Sequence, residues 1–311
     1  MDKLIVTAAL TGNITLPTQT PYLPISPEQI AEEAVKCVSA GAASIHVHAR
    51  DPRTGQPSSD PELYRAVATL IKARTNAIFV PTTGGTMTMT PQERLRVVPG
   101  LKPEMATCNL GSINFSIHPI VDRYKEGEWK NAWEKDFAAG TKDFIFRNTF
   151  GDIEIFYKTM LENGTKPEFE AYDVGHLYNL SFFLRRGIIK APVWIQFVTG
   201  ILGGIGSDLE NILFMKNTAD RLIGAQNYKF SVIGAGYPAE FYADCLSMMM
   251  GGHVRVGLED NLFVSKGVLA KGSWELVEKV VRLARELGRE IATPDEARQI
   301  LGLKGKDQVN F

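Results

Sequence analysis

Cysteine is scarce in this chain: three residues in 311, Cys37, Cys108 and Cys245, lie far apart. That number and spacing leave no disulfide framework and no zinc-ribbon pattern, and they fit a reducing cytoplasm. Charge of one sign is lacking too: 34 Lys+Arg against 35 Asp+Glu give a net charge of -1, which argues against a nucleic-acid partner. No apolar run approaches the ~20 residues that a membrane-spanning helix needs. The first residues do not have a signal peptide's layout, since the acid Asp2 comes at once and the apolar run soon ends. A cytoplasmic enzyme or binding protein is the expectation. Repeats and low-complexity tracts are also missing.

What the chain does have is alternation. Short β-branched runs at residues 4–10, 44–49, 77–82, 105–110, 167–172, 193–198, 228–233 and 254–259 are each followed by a helical pattern. Ser26 and Pro27 give the first helix a cap and a first-turn proline. Gly41, Gly164, Gly187, Gly224 and Gly288 fall where helices should stop. Eight strand–helix units with no shift in composition predict an α/β fold, a single-domain (β/α)8 TIM barrel spanning residues 1–311. The competing open doubly wound sheet would want a glycine-rich dinucleotide fingerprint after strand one, and there is none. Residues 11–25 read as a proline-rich loop. Residues 112–150 read as a long insertion over the barrel mouth, and residues 289–311 as an extension carrying one short capped helix.

Histidine is also sparse, yet two of five stand one residue apart in S-I-H-V-H-A-R-D, residues 44–51. Side chains alternate along a strand, so His46 and His48 share a face. Barrel enzymes build their sites at the C-terminal ends of strands, and two imidazoles spaced i, i+2 suit one metal ion. Two half-buried histidines bonded to backbone carbonyls are the ordinary alternative. A catalytic zinc usually takes a third protein ligand, and R-V-G-L-E-D-N at the last strand's end offers Glu259. Asp260 follows it, free of the metal and available as a base. Elsewhere, Thr82, Thr107, Asn109 and Gln196 at strand ends could hydrogen-bond a small acid. Gly84 and Gly85 could form a backbone nest for a carboxylate. Cys108 has the opposite parity to its neighbours and should face the helices as a buried thiol.

Taken in order, T-A-A-L-T-G (7–12), H-V-H-A-R-D, P-T-T-G-G (81–85), P-E-M-A-T-C-N (103–109), Q-F-V-T-G-I-L-G-G (196–204), R-V-G-L-E-D-N (255–261) and A-T-P-D-E-A-R-Q-I-L-G-L (292–303) resemble the β-keto acid cleavage enzyme family. Its best-known activity is 3-keto-5-aminohexanoate cleavage. The resemblance covers nearly the whole chain apart from the insertion. It implies a zinc-dependent acyltransferase that condenses a β-keto acid with acetyl-CoA to give acetoacetate and a new CoA ester. It further implies His46, His48 and Glu259 as zinc ligands, Asp260 as general base, Arg255 as stabiliser of oxyanions, and Thr82 and Thr107 as contacts to the keto acid. Two positions depart from the pattern. Ile14 stands where members acting on the amino acid substrate have a glutamate, and Thr82 replaces a serine.

Two rival functions remain open on the residues alone. A zinc hydrolase of the amidohydrolase type would need further histidines; His118 and His176 read as loop residues and His253 as the bottom of strand eight. A non-catalytic barrel that binds acyl-CoA or a keto acid would need no spare base beside a metal ligand. The loop after strand one, with Asn13, Ile14, Thr15, Thr18, Gln19 and Tyr22, has no acid between Thr11 and Pro27. A cationic tail would find no counter-ion there, so a neutral keto acid is expected. An anionic tail would require Arg50 or Arg147 to reach in. A homodimer or homotetramer is expected, from the resemblance and from the apolar face of the C-terminal capped helix.

Overall fold

Eight short strands alternate with helices that cover them in the computed structural model, which describes residues 2–311. In chain order the elements are β1 (Val6–Ala9), α1 (Pro27–Ala40), β2 (Ser44–Val47), α2 (Pro61–Arg74), β3 (Ile78–Pro81), α3 (Pro91–Leu95), α4 (Val97–Leu101), β4 (Met105–Asn109), α5 (Ala132–Gly140) and α6 (Phe150–Glu162). They continue with β5 (Lys166–Ala171), α7 (Val174–Arg185), β6 (Val193–Thr199), α8 (Leu209–Ile223), β7 (Tyr228–Gly234), α9 (Ala239–Met249) and β8 (His253–Val256). A small hairpin of β9 (Phe263–Ser265) and β10 (Val268–Leu269), then α10 (Ser273–Glu286) and α11 (Pro294–Leu301), complete the chain.

The eight strands form one parallel sheet in the order β3-β2-β1-β8-β7-β6-β5-β4. This is the expected TIM barrel, with β1 between β2 and β8 in register: Ala9 beside His46 and Thr7 beside Arg255. At the seam between β3 and β4, Thr83 donates from its N–H to the Thr107 hydroxyl and from its own hydroxyl to the Thr107 carbonyl. β1, β2, β3, β4, β6 and β8 are buried along their whole length, as parallel strands covered on both faces must be. The main core lies between the sheet and the helices. Cys108 sits in it, as its parity predicts, and burial pushes its thiol up to about 12.

Local signals explain the helix starts. Ser26 caps α1, and the capping box is closed by Gln29, whose side chain accepts from the Ser26 N–H. The region 112–150 is not a barrel strand: it forms only isolated bridges, Ile113 to Phe146 and Ser116 to Leu202. The helix belonging to β4 is α6, which follows it. The insertion instead contributes a 3-10 turn (His118–Arg123) and α5, and it clamps the loop after β1. Thr18 donates to Glu134, Lys130 donates back to the Thr18 hydroxyl, and Trp133 donates to the Thr54 carbonyl. Among the described residues no helix is long and apolar enough to cross a membrane.

The C-terminal helix α11 closes the bottom of the barrel. Ala297 and Leu301 join Ile5, Val80, Met105 and Trp194 in a separate cluster. Arg298, 9% exposed, donates to both oxygens of Glu104, 3% exposed, at 2.8 and 2.9 Å. Removing one partner of a buried pair leaves the other charge unpaired, so Arg298→Leu should cost about 3–5 kcal/mol. Adding Glu104→Leu should recover most of that loss. Denaturant midpoints of the parent, both single variants and the double variant check this; simple additivity would refute the pairing.

Candidate functional site

The site is built where β1, β2 and β8 end. Thr11 accepts from the His48 N–H and donates to the His48 carbonyl, tying the end of β1 to that of β2. Arg50 lies beneath them, fully buried, and donates to the carbonyls of Thr11, Gly12, Thr15 and Gly55. It is therefore a pin for the loop after β1 and cannot reach an anionic tail. Arg147 pairs with Asp152 at 3.0 Å and does not line the site.

β8 stops at Val256, three residues before the strand end expected from the sequence. Glu259 therefore reaches the histidines through a turn and not by strand alternation. The turn is fixed at almost every backbone group. Gly257 N–H donates to Glu240 Oε1, Leu258 N–H to the Ser273 hydroxyl, and Glu259 N–H to the Ala9 carbonyl. Asn261 donates to Glu240 Oε2, so one buried carboxylate holds the turn at both ends. Two glycines make the approach possible. A Cβ on Gly257, at φ 150°, would lie 2.0 Å from the Ala9 carbonyl oxygen, and one on Gly12, at φ 61°, 2.7 Å from Glu259 Cγ.

The result is a compact constellation. His46 Nε2 and His48 Nε2 lie 3.5 and 3.2 Å from Glu259 Oε1. The three residues form a group that could hold a metal ion, with ligand atoms within 4.8 Å of one another. Burial pulls His46 down to about 4 against the pull of Glu259, which keeps its imidazole neutral as a ligand must be. Burial alone would raise Glu259, but Arg255 and the two imidazoles hold it well below the usual carboxylate range. Glu259 Oε2 and the Nδ1 atoms of both histidines are buried without a partner. Two imidazoles, a carboxylate and unsatisfied polar atoms around one point fit a divalent ion with an open position.

Arg255 lies at the centre of the acids. It donates to Asp260 Oδ2 at 2.8 Å and Oδ1 at 3.1 Å, to Glu259 Oε1 at 2.6 Å and to Gln196 Oε1 at 3.1 Å. Glu170 Oε1 is 3.7 Å from it. Burial raises Asp260 to about 6 and Glu170 to about 8, in each case opposed by Arg255. Both acids border a cavity of about 60 Å³ that also meets His48, Thr82, Gly84 and Gly85. Its far wall is apolar: Phe115, Phe146, Tyr172 and Ile201. The Thr82 hydroxyl accepts from Gly84 N–H, so part of the expected nest is already engaged. Thr107 and Asn109 are buried outside this lining: Thr107 serves the Thr83 loop, and both amide atoms of Asn109 have no partner.

Glu170 and Glu240 do not stand out in the sequence. Glu170 has a signal there, since in P-E-F-E-A two acids share one strand parity with Phe169 turned to the helices. Glu240 has none, because it reads as an ordinary first-turn acid of α9. The remaining histidines are placed away from the site. His253 Nδ1 accepts from Ile5 N–H, His118 meets the Ser116 hydroxyl, and His176 lies in the first turn of α7, not in a loop, where it accepts from Tyr172 N–H.

This geometry can be set beside known proteins. The chain is 43% identical over 309 residues to a 3,5-dioxohexanoate:acetyl-CoA acetone transferase of Paraburkholderia graminis, covering 99% of this chain and 98% of the relative. It is 39% identical over 305 residues to a 3-keto-5-aminohexanoate cleavage enzyme of Fusobacterium nucleatum, covering 98% and 99%. A solved structure of ObcA, in a ternary complex with a C4-CoA adduct and oxalate, shares the fold at TM-score 0.69 and 20% identity, over 91% of this chain and 68% of that one. The model of the beta-keto acid cleavage enzyme family matches residues 3–303. With that match running through every segment that shapes the site, the chain belongs to the β-keto acid cleavage enzyme family.

Proposed function

We propose that this single-domain barrel transfers an acyl group from a β-keto acid to CoA, using acetyl-CoA as the second substrate and releasing acetoacetate. The observation that carries the reading is Asp260, held by Arg255 at the edge of the cavity, one residue from Glu259 and its two histidines. His46, His48 and Glu259 would hold the metal, zinc by its suitability to imidazole and carboxylate ligands. Bound there, zinc supplies Lewis-acid polarisation of a keto oxygen.

The chain's own residues supply the rest. Asp260 takes the proton from the carbon between the keto and carboxylate groups. That carbon attacks the thioester carbonyl, a carbon–carbon bond forms, and the CoA thiolate leaves. The thiolate then adds to the original keto carbon, the older carbon–carbon bond breaks, and Asp260 returns its proton to the departing acetoacetate carbon. Each addition places negative charge on an oxygen, and Arg255 is the fixed cation beside it. Thr82, with the backbone of Gly84 and Gly85, borders the same cavity as a contact for the acid, and Thr107 holds the adjoining Thr83 loop. A hydrolase with a second histidine-rich metal site finds no support, since His118, His176 and His253 are bonded elsewhere.

The substrate's tail is read as neutral. Ile14 lines the cavity together with Phe115, Phe146 and Ile201, no acid of the insertion is in that lining, and the buried Glu134 is taken up by Thr18 and Asn131. The Paraburkholderia relative, named for a dioxo acid with an uncharged tail, supports this choice. For assembly, α11 spends its apolar face on the barrel, so the support comes from elsewhere. Phe150, Ile155 and Phe182, on the neighbouring helices α6 and α7, stand 39–54% exposed, with the Phe150 and Phe182 rings 5.5 Å apart. A homodimer or homotetramer would cover them.

Asp260→Asn should retain one divalent ion per chain yet stop exchange of the keto acid's α-hydrogens into heavy water. Exchange at the parent rate would place the base elsewhere. In a panel of β-keto acids with acetyl-CoA, followed by acetoacetate release, a neutral acid should exceed the aminohexanoate and the trimethylammonium acid at least tenfold in kcat/KM, about 1.4 kcal/mol. A cationic acid leading by that margin refutes the reading of Ile14. Light scattering at micromolar concentration should give the mass of a dimer or tetramer; a monomer's mass contradicts the assembly.

A further inference from the structure

The reaction brings a small acid and a very large thioester to one carboxylate, and the inner cavity has room only for the first. A second cavity, about 350 Å³, shares Ile14, Glu259 and Asp260 with it. It lies between the loop after β1, the 3-10 turn of the insertion, the loop after β7 and the turn after β8. Its walls are mixed in the manner of a pantetheine arm: Ile117, Tyr237 and Phe263 offer apolar surface, while Gln19, its carbonyl oxygen taken by Leu16 N–H, offers its amide NH2. Gly236, at φ 86°, has nothing within 4 Å of where its Cβ would be, so the loop after β7 leaves this space open. Barrel enzymes often hold phosphates at the loops after strands seven and eight.

One cation stands in the lining of this second cavity. Arg123, at the end of the 3-10 turn, is exposed and makes no ion pair among the described residues. A further cavity, about 540 Å³ with Lys166 and Lys190 in its lining, is at the other end of the barrel beside Trp194 and Leu303 and shares no residue with the site.

We infer that the second cavity is the berth of the acyl-CoA, its pantetheine arm running past Ile14 to Asp260 and its diphosphate paired with Arg123. The inference rests on the proposed reaction and adds the direction from which the thioester enters. It also gives the long insertion a role, carrying the phosphate-binding cation over the barrel mouth.

Arg123→Glu tests it, with CoA and its truncated analogue as probes. The variant should raise the calorimetric Kd for CoA and the KM for acetyl-CoA about tenfold or more, the loss of one charge-assisted contact, while kcat and the KM for the keto acid stay near parent values. With acetyl-pantetheine, which lacks the diphosphate and nucleotide, the parent and the variant should have the same KM. An equal penalty with both thioesters, or an unchanged Kd for CoA, overturns the inference while leaving the reaction standing. If the parent protein turns over neither thioester with any keto acid, the proposed reaction falls, and the berth with it.

Discussion

The arrangement at the barrel mouth depends on one buried cation among acids. Arg255, 3% exposed, lies within 4 Å of Asp260, Glu259 and Glu170. One guanidinium cannot neutralise three carboxylates away from water. Burial relieves part of the excess by protonation, since Glu170 is raised to about 8. Glu259 is instead held ionised, and its second oxygen has no partner. A site with more negative than positive charge, two imidazoles and an unsatisfied carboxylate oxygen favours a divalent cation. The same guanidinium separates two neighbouring acids into different roles, with Glu259 turned to the histidines and Asp260 to the cavity.

That division works only because the chain turns sharply at residue 257. Had β8 continued as a strand, alternation would have put Asp260 on the face opposite Glu259. The turn brings both to the mouth, and its stiffness comes from groups remote in sequence: Glu240 on α9, Ser273 at the start of α10, and Ala9 at the end of β1. Gly12 removes the side chain that would collide with Glu259, while Arg50 holds the loop in which Gly12 lies. Metal-site geometry commonly depends on such supporting bonds to the ligands' own backbone and side chains. The segments that mark the family are thus the ones that shape this turn and its neighbours.

Much of this is legible in the sequence, and the reasons differ by residue. The barrel shows because parallel strands buried on both faces must be apolar runs, and helix caps such as Ser26 and Thr293 announce the intervening segments. His46 and His48 show because alternation is a local rule. Glu259 is expected at the last strand's end, but β8 stops at Val256 and a turn carries Glu259 to the histidines. Arg50 reads wrongly as a possible ligand contact, since burial and bonding to four carbonyls depend on chain segments the local sequence does not reveal. Glu240 is invisible for the same reason. The insertion's clamp on Thr18 and Thr54 is not legible, because it requires knowing which loops meet.

The most direct measurement is zinc-edge X-ray absorption on purified protein loaded with one zinc per chain. The expected spectrum has two imidazole nitrogens and at least one carboxylate oxygen at about 2.0–2.2 Å and no sulfur. It should lose an imidazole in His48→Ala and keep both in Asp260→Asn. A sulfur scatterer at about 2.3 Å, or a spectrum indifferent to His48, would show that Glu259 and the histidine pair do not hold the ion.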